Sequence, residues 1–84
     1  MIEMLDDTYW IDISSIQKAK KFNEVTLKYE EDIDVIKDRY IIDAKSILGI
    51  FSLDISQPLM IRIHSDNNEV LARFYKDILD LIVR

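Results

Sequence analysis

The sequence predicts an α+β fold, an open-faced β-sandwich in which a four-stranded antiparallel sheet carries its helices on one face. Four short stretches alternate apolar and polar residues as half-buried strands do, and two longer ones repeat apolar residues every three to four positions as helices do. A serine-capped apolar segment beginning at Ser46 adds a third, shorter helix. The order is βαββαβα, and 84 residues read as one domain spanning 1–84.

In Thr8-Tyr9-Trp10-Ile11-Asp12-Ile13, Tyr9, Ile11 and Ile13 share one side and Trp10 and Asp12 the other. This is the first strand, with a possible extension back toward Ile2. Ser14 followed by Gln17 is a capping-box pattern and predicts a helix start directly after it. Ile16, Ala19, Phe22, Val25 and Tyr29 then trace an apolar stripe, with Lys18, Lys20, Lys21, Asn23 and Glu24 on the opposite face. Asp32-Ile33-Asp34-Val35-Ile36 and Tyr40-Ile41-Ile42, parted by Lys37-Asp38-Arg39, form a predicted hairpin.

Ser46 is the expected cap of a helix running from Ile47 to about Leu53, whose apolar face includes Leu48. Gly49, the only glycine, lies inside it; glycine there costs about 1 kcal/mol against alanine, so close packing against its backbone is expected. After a connector ending at Pro58, Leu59, Ile61 and Ile63 alternate with Met60, Arg62 and His64, which points the histidine outward. Ser65-Asp66-Asn67-Asn68 supplies turn and cap residues, and Leu71, Phe74, Ile78, Leu81 and Ile82 trace the stripe of the last helix.

Composition narrows the function classes. Zero cysteines exclude a disulfide framework and thiolate chemistry, and a single histidine argues against a structural metal. No cofactor is implied. A net charge of −5 disfavours direct binding to nucleic acid or anionic lipid, so the lysines at 18, 20, 21 and 28 read as a solvated helix face. No apolar run approaches the roughly 18 residues of a membrane span, and the acidic start does not resemble a signal peptide, which makes the cytoplasm the expected compartment. The pairs Asp32 and Asp34, and Asp77 and Asp80, have no nucleophile, base or pocket signal beside them, so no enzyme activity is expected.

The run Ala44-Lys45-Ser46-Ile47-Leu48-Gly49-Ile50-Phe51-Ser52-Leu53 resembles the second-helix motif of HPr, the small histidine-containing phosphocarrier of the bacterial phosphoenolpyruvate:sugar phosphotransferase system. The resemblance runs without gaps from about Asp32 to His64 and implies the HPr fold. It sets Ser46 at the serine that a regulatory kinase phosphorylates. Where the family has Gly-(Leu/Ile)-His-Ala-Arg-Pro, however, this chain has Ile13-Ser14-Ser15-Ile16-Gln17-Lys18, so Ser15 and Gln17 stand for the phospho-accepting histidine and its arginine. The family's sheet puts that carrier position near Leu59, and His64, five residues on, is roughly 16 Å away at about 3.3 Å per residue.

Ser46 is explained as a cap alone by about 1 kcal/mol of helix stabilisation; the surrounding motif adds regulatory phosphorylation by an HPr kinase. Ile47, Leu48 and Phe51 resemble the patch with which HPr proteins meet enzyme I, the kinase and a catabolite-control transcriptional regulator, and form either a docking surface or core. The reading is a non-catalytic HPr-like regulatory or adaptor protein acting by protein–protein binding, similar to the catabolite-repression HPr paralogue that also lacks the histidine. The alternatives are a phosphocarrier with an unrecognised acceptor, and an HPr-fold interaction module unrelated to sugar transport.

Overall fold

In the computed structural model, which describes residues 5–83, the chain forms β1 (Thr8–Ile11), α1 (Ile16–Thr26), β2 (Ile33–Lys37), β3 (Tyr40–Asp43), α2 (Ile47–Phe51), β4 (Leu59–Ile63) and α3 (Asn68–Ile78). A 3-10 turn, Leu79–Leu81, follows. The strands make one antiparallel sheet in the order β1-β4-β2-β3, so the last strand lies between the first two and β3 is an edge. The predicted α+β architecture and element order are therefore those observed. No described helix is long and apolar enough to cross a membrane.

Alternation decides which face of the sheet the helices cover. Ile11, Ile33, Val35, Leu59, Ile61 and Ile63 point to one side and are buried with Phe22, Leu71, Phe74 and Ile78 in one cluster. The residues between them face outward; Trp10 and Arg62 are exposed, and Asp34, Ile36 and Met60 are half-buried. Tyr29 packs edge-on against Phe74, with ring centroids 5.4 Å apart, and its hydroxyl donates to Asp77 Oδ2 at 2.7 Å. Lys21 pairs with Asp80, tying α1 to the 3-10 turn. That turn redirects the chain onto the outer edge of β1: Ile82 bridges Ile11, and the Val83 N–H donates to Trp10 O at 2.9 Å.

Several expectations are corrected. The cap of α1 is Ser15, whose Oγ accepts from Lys18 N at 3.1 Å, so the Ser14–Gln17 box does not form. The Ser14 N–H instead donates to Asp12 Oδ1 at 2.9 Å, holding Ser14 in the turn before the helix. That turn ends β1 at Ile11, two residues early, although Ile13 remains buried; the possible extension toward Ile2 falls outside the described residues. Ile16, assigned to the apolar stripe of α1, is 63% exposed. Asn23, assigned to the polar face, is buried together with Thr26. Helix α2 ends at Phe51, not Leu53, where Ser52 caps it, and Leu48 is not on its packed face; Ile50 is.

Candidate functional site

Local chemistry builds the start of α2. Asp43 turns the chain out of β3, its Oδ1 accepting from Lys45 N at 2.9 Å and its carbonyl from Ser46 N at 3.0 Å. The buried Ala44 is held on both sides: its N–H donates to Ile33 O at 2.8 Å, and its carbonyl accepts from Asn23 Nδ2 and Thr26 Oγ1, each at 3.1 Å. These bonds anchor the residue two before Ser46 to α1 and β2, and so fix where α2 begins. Ser46 is extended, with φ −95° and ψ 103°, and its Oγ accepts from Gly49 N at 3.1 Å, satisfying one of the orphan donors of a helix start.

Five residues of helix have one anchor, Ile50, fully buried against the core. The remaining apolar side chains cannot all follow it inward. Leu48, two positions from the anchor, is 80% exposed and Phe51 is 39% exposed, while Ile47 is half-buried. Gly49 lets α2 lie close to β3, for a Cβ there would come within 2.7 Å of Ile42 Cγ2 and 3.2 Å of Ser46 Oγ. The close approach expected at this glycine is present, and its nearest neighbour is a side chain of β3.

Ser15 and Gln17 open α1. Ser15 is half-buried, its hydroxyl engaged by Lys18 N, and Gln17 is exposed. Beside them Asp12 accepts from Ser14 N and from Lys18 Nζ at 3.0 Å. The hydrogen bonds from Ser14, followed by that from Lys18, hold its carboxyl well down, at about 2. The helix start therefore carries a carboxylate already paired with Lys18.

The structure brings Ser46, Ile47, Leu48 and Phe51 together on one short helix, and it packs α1 beside α2. It keeps His64 apart. Because Leu59 pairs with Ile11, the start of β4 lies beside the end of β1, whereas His64 follows the far end of β4 with Nε2 2.7 Å from Asp34 Oδ2. Sequence reasoning missed Asp12, Asn23 and Thr26. Asp12 two residues before Ser14 is a legible turn signal; Asn23, four residues after Ala19 and three before Thr26, has the spacing of the buried face, and only its polarity hid it.

A scan against protein-family models finds no match, and a search of curated proteins finds no significant one. Among solved structures, the crystal structure of HPr-C-His from Thermoanaerobacter tengcongensis matches with a TM-score of 0.69 and 27% identity, over 89% of this chain and 92% of that one. The fold is HPr-like. The histidine-containing phosphocarrier protein of Mycoplasma matches 92% of this chain and 97% of its own with a TM-score of 0.66; at 19% identity it speaks for the HPr fold alone.

Proposed function

We propose that this HPr-like protein is a non-catalytic regulatory or adaptor protein that binds other proteins through α2 and is controlled by phosphorylation of Ser46. The observation that carries the reading is the exposure of Leu48 and Phe51 on the helix that the exposed Ser46 caps. Exposed apolar side chains on a rigid, backbone-anchored turn are suited to fill a partner's pocket at little cost in ordering. A phosphate on Ser46 would add about −1.5 to −2 charge next to them. That change disfavours an apolar partner and favours one with arginine or lysine at the rim. An HPr kinase, enzyme I and a transcriptional regulator are the partners that the resemblance supplies.

Phosphoryl carriage is not part of the proposal. Ser15 and Gln17 occupy the positions of histidine and arginine, and a serine phosphate ester does not pass on its phosphoryl group as a phosphoramidate does. Incubation with phosphoenolpyruvate and enzyme I should leave the intact mass unchanged. An HPr kinase with ATP should add one phosphoryl group to the parent and none to Ser46→Ala, and Leu48→Ala should weaken partner binding by roughly tenfold or more. Because Ser46→Ala also removes a cap worth about 1 kcal/mol, Ser46→Asp, an equally good cap, serves as the folded control. A parent left unmodified by a kinase that converts an ordinary HPr would reduce Ser46 to a cap. Acid-labile phosphorylation by enzyme I, abolished by His64→Ala, would make the protein a carrier instead.

A further inference from the structure

Among the described residues, none covers the face of the sheet opposite the helices, and its side chains fall into ordered rows. Trp10, Met60, Ile36 and Ile41 are successive cross-strand partners across β1-β4-β2-β3, an apolar row spanning all four strands. Trp10 is 54% and Ile41 67% exposed. One pleat along, Thr8, Arg62, Asp34 and Asp43 form a parallel row on the same face. A cleft of about 130 Å³ runs from Trp10 past Pro58, Leu59 and Met60 to Ile36, Lys37 and Asp38, while at the β3 side Ile41 projects into solvent.

We infer that this face is a self-association surface that takes a second copy of the chain by two-fold, face-to-face stacking of the sheets. A two-fold axis parallel to the strands, between β4 and β2, reverses the strand order of one sheet over the other and keeps each row at its own height. Trp10 then faces Ile41 of the other copy and Met60 faces Ile36, so the two most exposed apolar side chains of the row meet. In the second row Arg62 faces Asp34, and Thr8 faces Asp43. The two-fold repeats each pairing, so both arginines meet carboxylates and no like charges are opposed within the row. Sheets stacked in this way pack about 10 Å apart with their strands within about 30°, a separation that an arginine side chain spans. Within one copy Arg62 lies 3.5 Å from Asp7 and Asp34 binds His64, so the facing charges enter an existing network. The contact is isologous and closes at two copies.

The face is small. Four strands at about 4.8 Å and five residues at about 3.3 Å project roughly 300 Å², below the ~800 Å² per partner of a standard interface, so the association is weak. Sedimentation equilibrium of the full chain from about 10 μM to about 1 mM should show the mass rising from 10.0 kDa toward twice that value. Arg62→Asp and Asp34→Arg should each stay monomeric, since each opposes like charges across the axis. Their equimolar mixture should dimerise again, because every facing pair is then complementary between chains; effects within one chain cannot produce that rescue. Ile41→Lys, at an exposed position where folding is secure, should also abolish association. A parent that remains monomeric at about 1 mM would overturn the inference. So would dimers insensitive to Arg62→Asp and Ile41→Lys, which would point to pairing along the β3 edge, or a mixture of folded variants that stays monomeric.

Discussion

Removing both side chains that hold the Ala44 carbonyl should cost more than the sum of removing either. Asn23 Nδ2 and Thr26 Oγ1 each lie 3.1 Å from that oxygen, in a residue with no exposed surface. Thr26 has a single hydroxyl proton, shared with Asn23 O at 2.7 Å, so the amide is the firmer donor. Asn23→Leu and Thr26→Val delete the polar groups with little change in volume, and each should cost about 1 kcal/mol, the first more than the second. In either single variant the carbonyl keeps one donor. In the double variant it keeps none, and an unsatisfied buried carbonyl adds about 1–3 kcal/mol, giving a total of roughly 3–5 kcal/mol and a coupling of about 1–3 kcal/mol. An 84-residue domain has roughly 4–12 kcal/mol to lose, so the double variant should lose a large share of it and melt roughly 20 °C lower. Urea unfolding followed by circular dichroism gives the cycle, and amide exchange at Gly49 and Ile50 should accelerate first, since Ala44 anchors α2. Additivity within about 0.5 kcal/mol, or unchanged exchange in α2, would refute the anchoring role.

Two further outcomes test packing and titration. Gly49→Ala gains about 1 kcal/mol of helix propensity but drives a Cβ to 2.7 Å from Ile42 Cγ2, so it should lose about 1 kcal/mol net in chemical denaturation; in an Ile42→Ala background the same change should become stabilising. Tyr29 is pushed up from 10.0 to about 12, by burial first and then by its hydrogen bond to Asp77. The folded state therefore keeps a proton that the unfolded state loses above about pH 10. That stabilisation is complete below pH 10 and is lost as pH rises toward about 12; since burial also raises Tyr9, phenolate absorbance should show late titration of which the Tyr29 part is absent in Tyr29→Phe, and the variant should lose less stability across the window.

The strands and their order along the chain were legible in the sequence because each inward residue is apolar and each outward neighbour is free to be polar. Ile11, Val35, Ile61 and Ile63 are buried where alternation puts them, and Ser46 caps α2 where its position before an apolar run says it should. The same period of two settled that His64 points outward, since strand geometry leaves a side chain only two directions. Which serine caps α1 was decided elsewhere: Asp12 takes the Ser14 N–H, and the helix starts one residue later than the capping box suggests. Asn23 and Thr26 look like surface polar residues until the loop carrying Ala44 crosses over them, because a buried amide is stable only against a partner supplied by a distant part of the chain. Leu48 and Ile50 are equally apolar and two residues apart, so composition cannot tell the anchor from the exposed side chain. The contact of α2 with the core sends Ile50 inward and leaves Leu48 in solvent, and only the packed helix could decide it.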